Sequence, residues 1–261
     1  MIVRKSAAEI ERMATAGSLV ADTITRVGEH LEPGVTTLEL DGIAEEFIRS
    51  HGGVPTSMGY KGYPRAICIS VNDVVVHGIP GQNVVSDGDI VTIDVGVTLD
   101  GMIADSAFTF AVGTIDPEAR RLLDVAREAL AAGIAQAQPG NRVGDISHAV
   151  QTVVEGAGFS VIRALVGHGV GRSYHEHPHI PNFGEPGRGP LLSEGMTIAI
   201  EPMITAGGPD VVVADDEWTI STADGSMSAH FEHTVAIVGG HDGPRILTLR
   251  AADREFAGLL R

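Results

Sequence analysis

Apolar residues recur at helical spacing from Ile10 through Met13, Ala14, Gly17, Val20, Ala21, Ile24 and Val27 to Leu31. A Ser6-Ala7-Ala8-Glu9 capping box precedes this run and Pro33-Gly34 stops it, so it predicts a helix with one buried face. Thr36 and Glu39 form a second capping box, and Leu40, Ile43, Phe47 and Ile48 carry a second helix to His51-Gly52-Gly53. Residues 54–76 read as loop and short strands. The pattern then changes period. Residues 88–110, GDIVTIDVGVTLDGMIADSAFTF, predict a buried strand, a two-residue Asp100-Gly101 turn and a second strand through Asp105 to Phe110. Asp116-Pro117 starts a third helix with Leu122, Leu123, Ala126, Leu130 and Ile134 on its apolar face, and a fourth runs from Val143 to Glu155. FSVIRALV reads as a strand, Gly167 to Pro190 as a loop rich in glycine, histidine and proline, and GMTIAIEPMI as a buried strand. Turns and short strands surround Trp218 over 207–230, and Glu232 to Val238 is the last clear strand.

The two acids of the 88–110 hairpin stand out. Asp94 and Asp105 lie among apolar and β-branched residues, where a carboxylate is costly unless something pairs with it. An internal repeat supplies company for them. PGVTTLELDGIAEEFIRSHG begins at Pro33, and PGNRVGDISHAVQTVVEGAG begins at Pro139, 106 residues later. GDIVTID ends at Asp94, and GMTIAIE ends at Glu201, 107 residues later. Asp105 and Glu232 each precede an apolar strand. The repeat predicts two pseudo-symmetric halves, about 8–115 and 117–245, within a single domain over 1–261, with an insertion near 205–230. Packed about a pseudo-twofold axis, these halves bring Asp94, Asp105, Glu201 and Glu232 together. Four such carboxylates repel by several kcal/mol and would protonate unless cations neutralise them. Two divalent ions do so, and paired sites activate a shared water. Oxygen-rich ligation with an imidazole suits Mn, Fe, Co or Zn and leaves the choice among them open.

Composition narrows the setting. A formal charge of −16 without a basic cluster argues against nucleic acid as a partner. One cysteine, Cys68, excludes an internal disulfide and points to a reducing compartment. No apolar run is long enough to span a bilayer, and MIVRKSAAEIERM is too polar for a signal peptide, so the expected location is the cytoplasm.

Four of the 11 histidines fall in GHGVGRSYHEHPH, residues 167–179. With GYKGYPRAICISVNDVVVHGIP, IVTIDVG, ADSAFTF, IAIEPM and FEHTV, this segment resembles the type I methionine aminopeptidases of the pita-bread metallopeptidase family, over essentially the whole chain. The resemblance implies an α+β fold of the pita-bread type, two pseudo-symmetric halves with an antiparallel sheet core covered by helices. It implies removal of the initiator methionine from new polypeptides with a small second residue, by a water activated between two divalent ions. Asp94, Asp105, His168, Glu201 and Glu232 would be the metal ligands, with Asp105 and Glu232 bridging. Glu201 would shuttle the proton, His175 would hydrogen-bond the scissile carbonyl, and His77 would steady the departing amide. The substrate's free α-amine would lie beside Asp94. Tyr60, Tyr63, Cys68, Tyr174 and Trp218 would line the methionine pocket, where aromatic walls suit a thioether. The family implies nascent N-termini as partners and a monomeric enzyme, and no element of the sequence marks a ribosome-docking site. Met102-Ile103-Ala104 and Ser57 depart from the common family pattern, and His177 and His179, which have no family role, are expected to face solvent. Xaa-Pro-directed cleavage by prolidase-like relatives is the enzymatic alternative, disfavoured by the short stretch before residue 88. A pita-bread binding protein with a decayed metal site is the non-enzymatic one, disfavoured by the five intact ligand positions.

Overall fold

The computed structural model describes residues 2–239 and 243–253. The chain runs α1 (Ala7–Gly28), α2 (Thr37–Ser50), β1 (Val54–Pro55), β2 (Cys68–Val71), β3 (Val74–Val76), β4 (Ile90–Leu99) and β5 (Met102–Ala111). It continues through α3 (Pro117–Ala135), α4 (Val143–Gly156), β6 (Ser160–Val161), β7 (Val166–Gly169), β8 (Glu176–Pro181), β9 (Thr197–Ile200) and β10 (Met203–Thr205). The last strands are β11 (Val211–Val213), β12 (Ile220–Thr222), β13 (Ser228–His230), β14 (His233–Ala236) and β15 (Arg245–Ile246). Residues 254–261, the end of the expected domain, lie outside the described residues.

Both capping boxes form. Ser6 and Glu9 close the start of α1, and Thr36 and Glu39 that of α2, each satisfying two backbone N–H groups at a helix start. Asp116 caps α3 by accepting from Glu118 N–H, with Pro117 just inside the helix. The first helix stops at Gly28, earlier than the periodicity through Leu31 suggests. His30 N–H donates to Val27 and Leu31 N–H to Gly28, tightening the chain into turns. Gly28 is pressed against Phe110, where a side chain would collide with the ring.

The hairpin β4–β5 is the longest paired element, ten residues on each side, closed by Asp100 (φ 49°) and Gly101 (φ 73°). Strands β1 and β2 pair in succession along the other edge of β4. A five-stranded antiparallel sheet, ordered β15-β14-β9-β7-β8, forms the second large layer. Two smaller sheets, β13-β10-β6 and β11-β12-β3, complete the strands.

Each helix pair covers its own apolar cluster. Val20, Ile24 and Leu40 of α1 and α2 pack with Ile67, Ile69, Val91 and Ile93 beneath them. Leu122, Leu130, Ile134, Ile146 and Val150 of α3 and α4 pack with Ile198, Ile200 and Phe231. Full burial of each such side chain stabilises the fold by about 1.5–3 kcal/mol. A third cluster, including Met13, Met102, Val170, Ala199 and Ala236, joins α1 to both sheets.

Three segments differ from their sequence patterns. Gly167–Pro190, rich in turn residues, contains the antiparallel pair β7–β8, because β9 provides an edge on which β7 completes a ladder. FSVIRALV forms the two-residue β6, which pairs with β10, and enters β7 only at its last residue, Val166. The apolar run GMTIAIEPMI is split at Glu201-Pro202 into β9 and β10, which enter different sheets, since proline has no N–H for a ladder.

Candidate active site

Asp94 and Asp105 are placed by the register of β4 and β5. Asp94 lies opposite Ala107 and Asp105 opposite Gly96, so the two acids sit diagonally on one face of the hairpin. Cys68 of β2 is the partner of Asp94 on its other edge. The segment before Cys68 is fixed by Asp41 of α2, whose buried carboxylate accepts from the N–H groups of Ala66 (2.9 Å) and Ile67 (3.1 Å).

The later acids are stitched onto this hairpin. Glu232 N–H donates to Ala107 O (2.9 Å), and the Ser106 hydroxyl donates to Glu232 O. Thr234 Oγ1 accepts from Asp105 N–H (2.9 Å) and donates to Asp105 O (2.7 Å). Thr109 Oγ1 does the same for His230, accepting from its N–H (3.0 Å) and donating to its carbonyl (2.8 Å). Glu201 follows β9, and Asn182 Nδ2 donates to its carbonyl (2.9 Å). His168 lies in β7 opposite Ala199.

All twelve residues singled out in the sequence line one cavity of about 280 Å³: Asp94, Asp105, His168, Glu201, Glu232, His77, His175, Tyr60, Tyr63, Cys68, Tyr174 and Trp218. Asp105, His168 and Glu232 are buried and offer ligand atoms within 4.8 Å of one another. His168 Nε2 lies 3.5 Å from Glu201 Oε1 and 3.8 Å from Asp105 Oδ2. Its Nδ1 donates to the carbonyl of Gly169 (2.9 Å), which leaves the Nε2 lone pair facing the acids.

Burial shifts every one of these groups toward neutrality. The carboxyl of Asp94 is pushed up to about 7 by desolvation. Those of Asp105, Glu201 and Glu232 are raised well above the ordinary range, first by burial and then by their mutual repulsion. His168 is lowered to about 4 and His230 to about 3, first by desolvation. Asp105 Oδ1, Glu232 Oε1 and both nitrogens of His230 are buried without a hydrogen-bond partner. Carboxylate oxygens and neutral imidazole nitrogens turned inward, with no donor to meet them, fit a divalent cation.

Around the acids stands a ring of aromatic side chains. Tyr60 packs edge-on against Tyr174 (5.2 Å between centroids) and stacks on His175 (5.3 Å). His175 is also 4.1 Å from the His168 ring, and is exposed where it adjoins the cavity. Tyr63 and His77 both meet Trp218 edge-on, at 5.1 and 6.0 Å. The Tyr63 hydroxyl lies between the carbonyls of Ile67 (3.2 Å) and Gly78 (3.0 Å), so this residue braces the loop while its ring faces the cavity. Trp218 is held by Asp216, whose Oδ1 accepts from Trp218 N–H (2.9 Å). His77 has φ 59°, a left-handed conformation rare outside glycine and common at working sites. Burial lowers the pKa of His77, and burial followed by nearby His168 and Lys61 lowers that of His175. Both are therefore neutral near pH 7.

Sequence reasoning missed His230, Met203 and Leu165, which line the same cavity. For His230 a signal existed: it precedes Glu232 by two positions, and residues so spaced on extended chain share a face. His177 and His179 are exposed on β8, as expected.

The profile of metallopeptidase family M24 matches residues 11–238. The chain belongs to this family. Among the M24 metallopeptidases it is 51% identical over 249 residues to a methionine aminopeptidase of Clostridium perfringens, covering 95% of this chain and 99% of that one. It is 47% identical to methionine aminopeptidase 1 of Mycobacterium tuberculosis, over 95% and 96% of the two chains. The crystal structure of methionine aminopeptidase from Rickettsia prowazekii superposes with a TM-score of 0.93 at 42% identity, over 95% of this chain and 100% of that one. A prolidase from Pyrococcus furiosus shares the fold alone, with a TM-score of 0.75 at 22% identity over 65% of its length. The M24 chain is thus a pita-bread α+β protein and a metal-dependent aminopeptidase. Among the described residues, no helix is long and apolar enough to cross a membrane.

Proposed function

We propose that this enzyme removes the initiator methionine co-translationally from polypeptides whose second residue is small. One observation carries the reading. Five ligand-type side chains and a ring of aromatic residues line a single cavity, with two neutral histidines beside them. Asp94, Asp105, His168, Glu201 and Glu232 would hold two divalent ions. Bound cations of this kind acidify water and polarise a carbonyl.

The chain's own groups supply the rest. The place beside Asp94 receives the substrate's free α-amine, which restricts cleavage to the first residue. Tyr60, Tyr63, Cys68, Tyr174 and Trp218 receive an unbranched thioether side chain. His175, neutral beside Tyr60 and His168, donates a hydrogen bond to the scissile carbonyl oxygen as charge develops there. His77 contacts the amide nitrogen of the next residue. Glu201 carries the proton from the attacking water to the leaving amine. Which metal serves in the cell is decided by availability, among Co, Mn, Fe and Zn. The cytoplasm, where nascent N-termini emerge from the ribosome, is the compartment this substrate requires. The monomer suffices for the site, since one chain supplies every named residue.

The test is hydrolysis of a short peptide panel. Chelator-stripped protein is expected to lose cleavage of Met-Gly-Ser and regain it with Co or Mn. Activity that survives stripping sinks the metal mechanism. Faster cleavage of Xaa-Pro than of Met-Ala peptides sinks the methionine assignment.

A further inference from the structure

His230 is the most conspicuous side chain that the five-ligand reading leaves without a task. It is 2% exposed, and neither Nδ1 nor Nε2 has a hydrogen-bond partner. Buried histidines in a core satisfy at least one ring nitrogen, because an unmet polar group costs about 1–3 kcal/mol. The backbone leaves little freedom to escape. Thr109 clamps both the N–H and the carbonyl of His230, and β13 places it opposite Met203, another residue of the cavity wall.

Its Nε2 lies 3.8 Å from Glu201 Oε2 and 3.9 Å from Glu232 Oε2. These separations are too long for hydrogen bonds. They match donors on a shared ion: with bonds of about 2.1 Å, two ligands stand roughly 3–4 Å apart. His168 shows the same spacing on the other oxygen of Glu201, at 3.5 Å, and to Asp105, at 3.8 Å. Two imidazoles therefore flank the Glu201 carboxylate, one at each oxygen, and each reaches a second acid beyond it.

We infer that His230 is a sixth ligand of the metal centre, giving the ion beside Glu201 and Glu232 an imidazole nitrogen through Nε2. The inference rests on the metal-dependent reading and adds nitrogen to a site otherwise credited with one imidazole. A second nitrogen donor shifts preference from Mn toward Co and Zn, since imidazole suits the latter better than an all-oxygen set does.

Proton NMR of the full-length protein loaded with Co(II) tests it. An imidazole bonded to Co(II) gives a strongly shifted, exchangeable N–H resonance. Wild type is expected to show two, from His168 and His230, and His230→Gln to show one. Calorimetric titration of chelator-stripped His230→Gln with Co(II) is expected to show affinity reduced by about 10–100-fold or more at one site. Thermal unfolding of the metal-free variant checks that it folds, and His230→Asn serves if it does not. A wild type that binds Co(II) with a single shifted N–H overturns the inference and leaves the metallopeptidase reading standing. Unchanged Co(II) affinity in the variant does the same. A wild type that takes up no Co(II) overturns both.

Discussion

Tyr174 reaches the cavity only because residue 96 has no side chain. A Cβ at Gly96 would collide with the Tyr174 hydroxyl and ring, so the ring lies directly over the β4 backbone, and its hydroxyl meets Ser57 at 3.0 Å. Gly96→Ala is expected to push the ring into the pocket while leaving the acids on β4 and β5 in register. Misplacement of about 1 Å costs up to about 10²-fold in rate. The expected outcome is a fall of that order in kcat/KM for Met-Ala peptides with metal content unchanged; lost metal would show that the hairpin itself had shifted. His175 makes a sharper case. It touches Tyr60, Tyr174 and His168 from the aromatic wall of the cavity. His175→Ala should lower kcat by about 10², the usual cost of one oxyanion donor, with metal stoichiometry intact by elemental analysis. If metal is lost instead, His175 is a ligand and its assignment as a donor to the carbonyl is wrong.

At the scale of elements, the loop between β7 and β8 carries Tyr174 and His175, and its position depends on the segment before α1. Lys5 Nζ meets Glu176 Oε2 at 2.5 Å with both side chains nearly inaccessible, and Glu176 Oε1 accepts from the N–H groups of Arg172 (2.8 Å) and Ser173 (3.0 Å). Lys5 N–H in turn donates to Gly195 O (2.6 Å). One buried ion pair thus ties the chain's start to the loop. Removing one partner strands the other charge, at a cost of about 3–5 kcal/mol. Urea unfolding of Lys5→Met should register a loss of this size, whereas Arg172→Ala, which breaks an exposed pair with Glu9, should leave the midpoint in place. Equal midpoints for the two variants would mean that the buried pair contributes nothing. The same region marks a limit of sequence reading. The helices were legible because their apolar spacing and capping residues act locally. Strands β7 and β8 were not, because glycine, histidine and proline carry no strand preference, and the pairing is imposed by β9 from about thirty residues away. Asp94 and Asp105 were legible as acids where apolar residues belong, and Glu201 and Glu232 through their echo 107 and 127 residues later. His230 was legible only as a side chain sharing a face with Glu232; its burial arises only when β13 is laid against β5.

For the molecule as a whole, we propose that the two halves are a duplicated unit. Support comes from the separate apolar clusters under α1–α2 and α3–α4, with acids contributed to one cavity from both sides. Joining the halves concentrates four carboxylates around one cavity, where burial and mutual repulsion act on them together, and this has a measurable consequence for metal uptake. In the metal-free protein burial pushes the carboxyl of Asp94 up to about 7, and burial with mutual repulsion raises those of Asp105, Glu201 and Glu232 well above the ordinary carboxylate range. The dependence of folding stability on pH does not isolate this. A raised carboxyl makes stability fall as pH rises, from about 4 through the folded value, whereas His168 and His230, lowered to about 4 and 3, make it rise as pH climbs from there toward 6.5. The two trends oppose each other. Proton release on metal binding separates them, because imidazoles already neutral at pH 7 have no proton to give. A cation needs the carboxylates ionised, so binding must expel their protons. Calorimetric titration with Co(II) at pH 7, in buffers of different ionisation enthalpy, is expected to show release of roughly one proton or more per protein, and affinity that rises with pH from 6 to 8. Carboxyls with ordinary values near 4 would release none, and an enthalpy independent of buffer would show that the acids are not held protonated by one another.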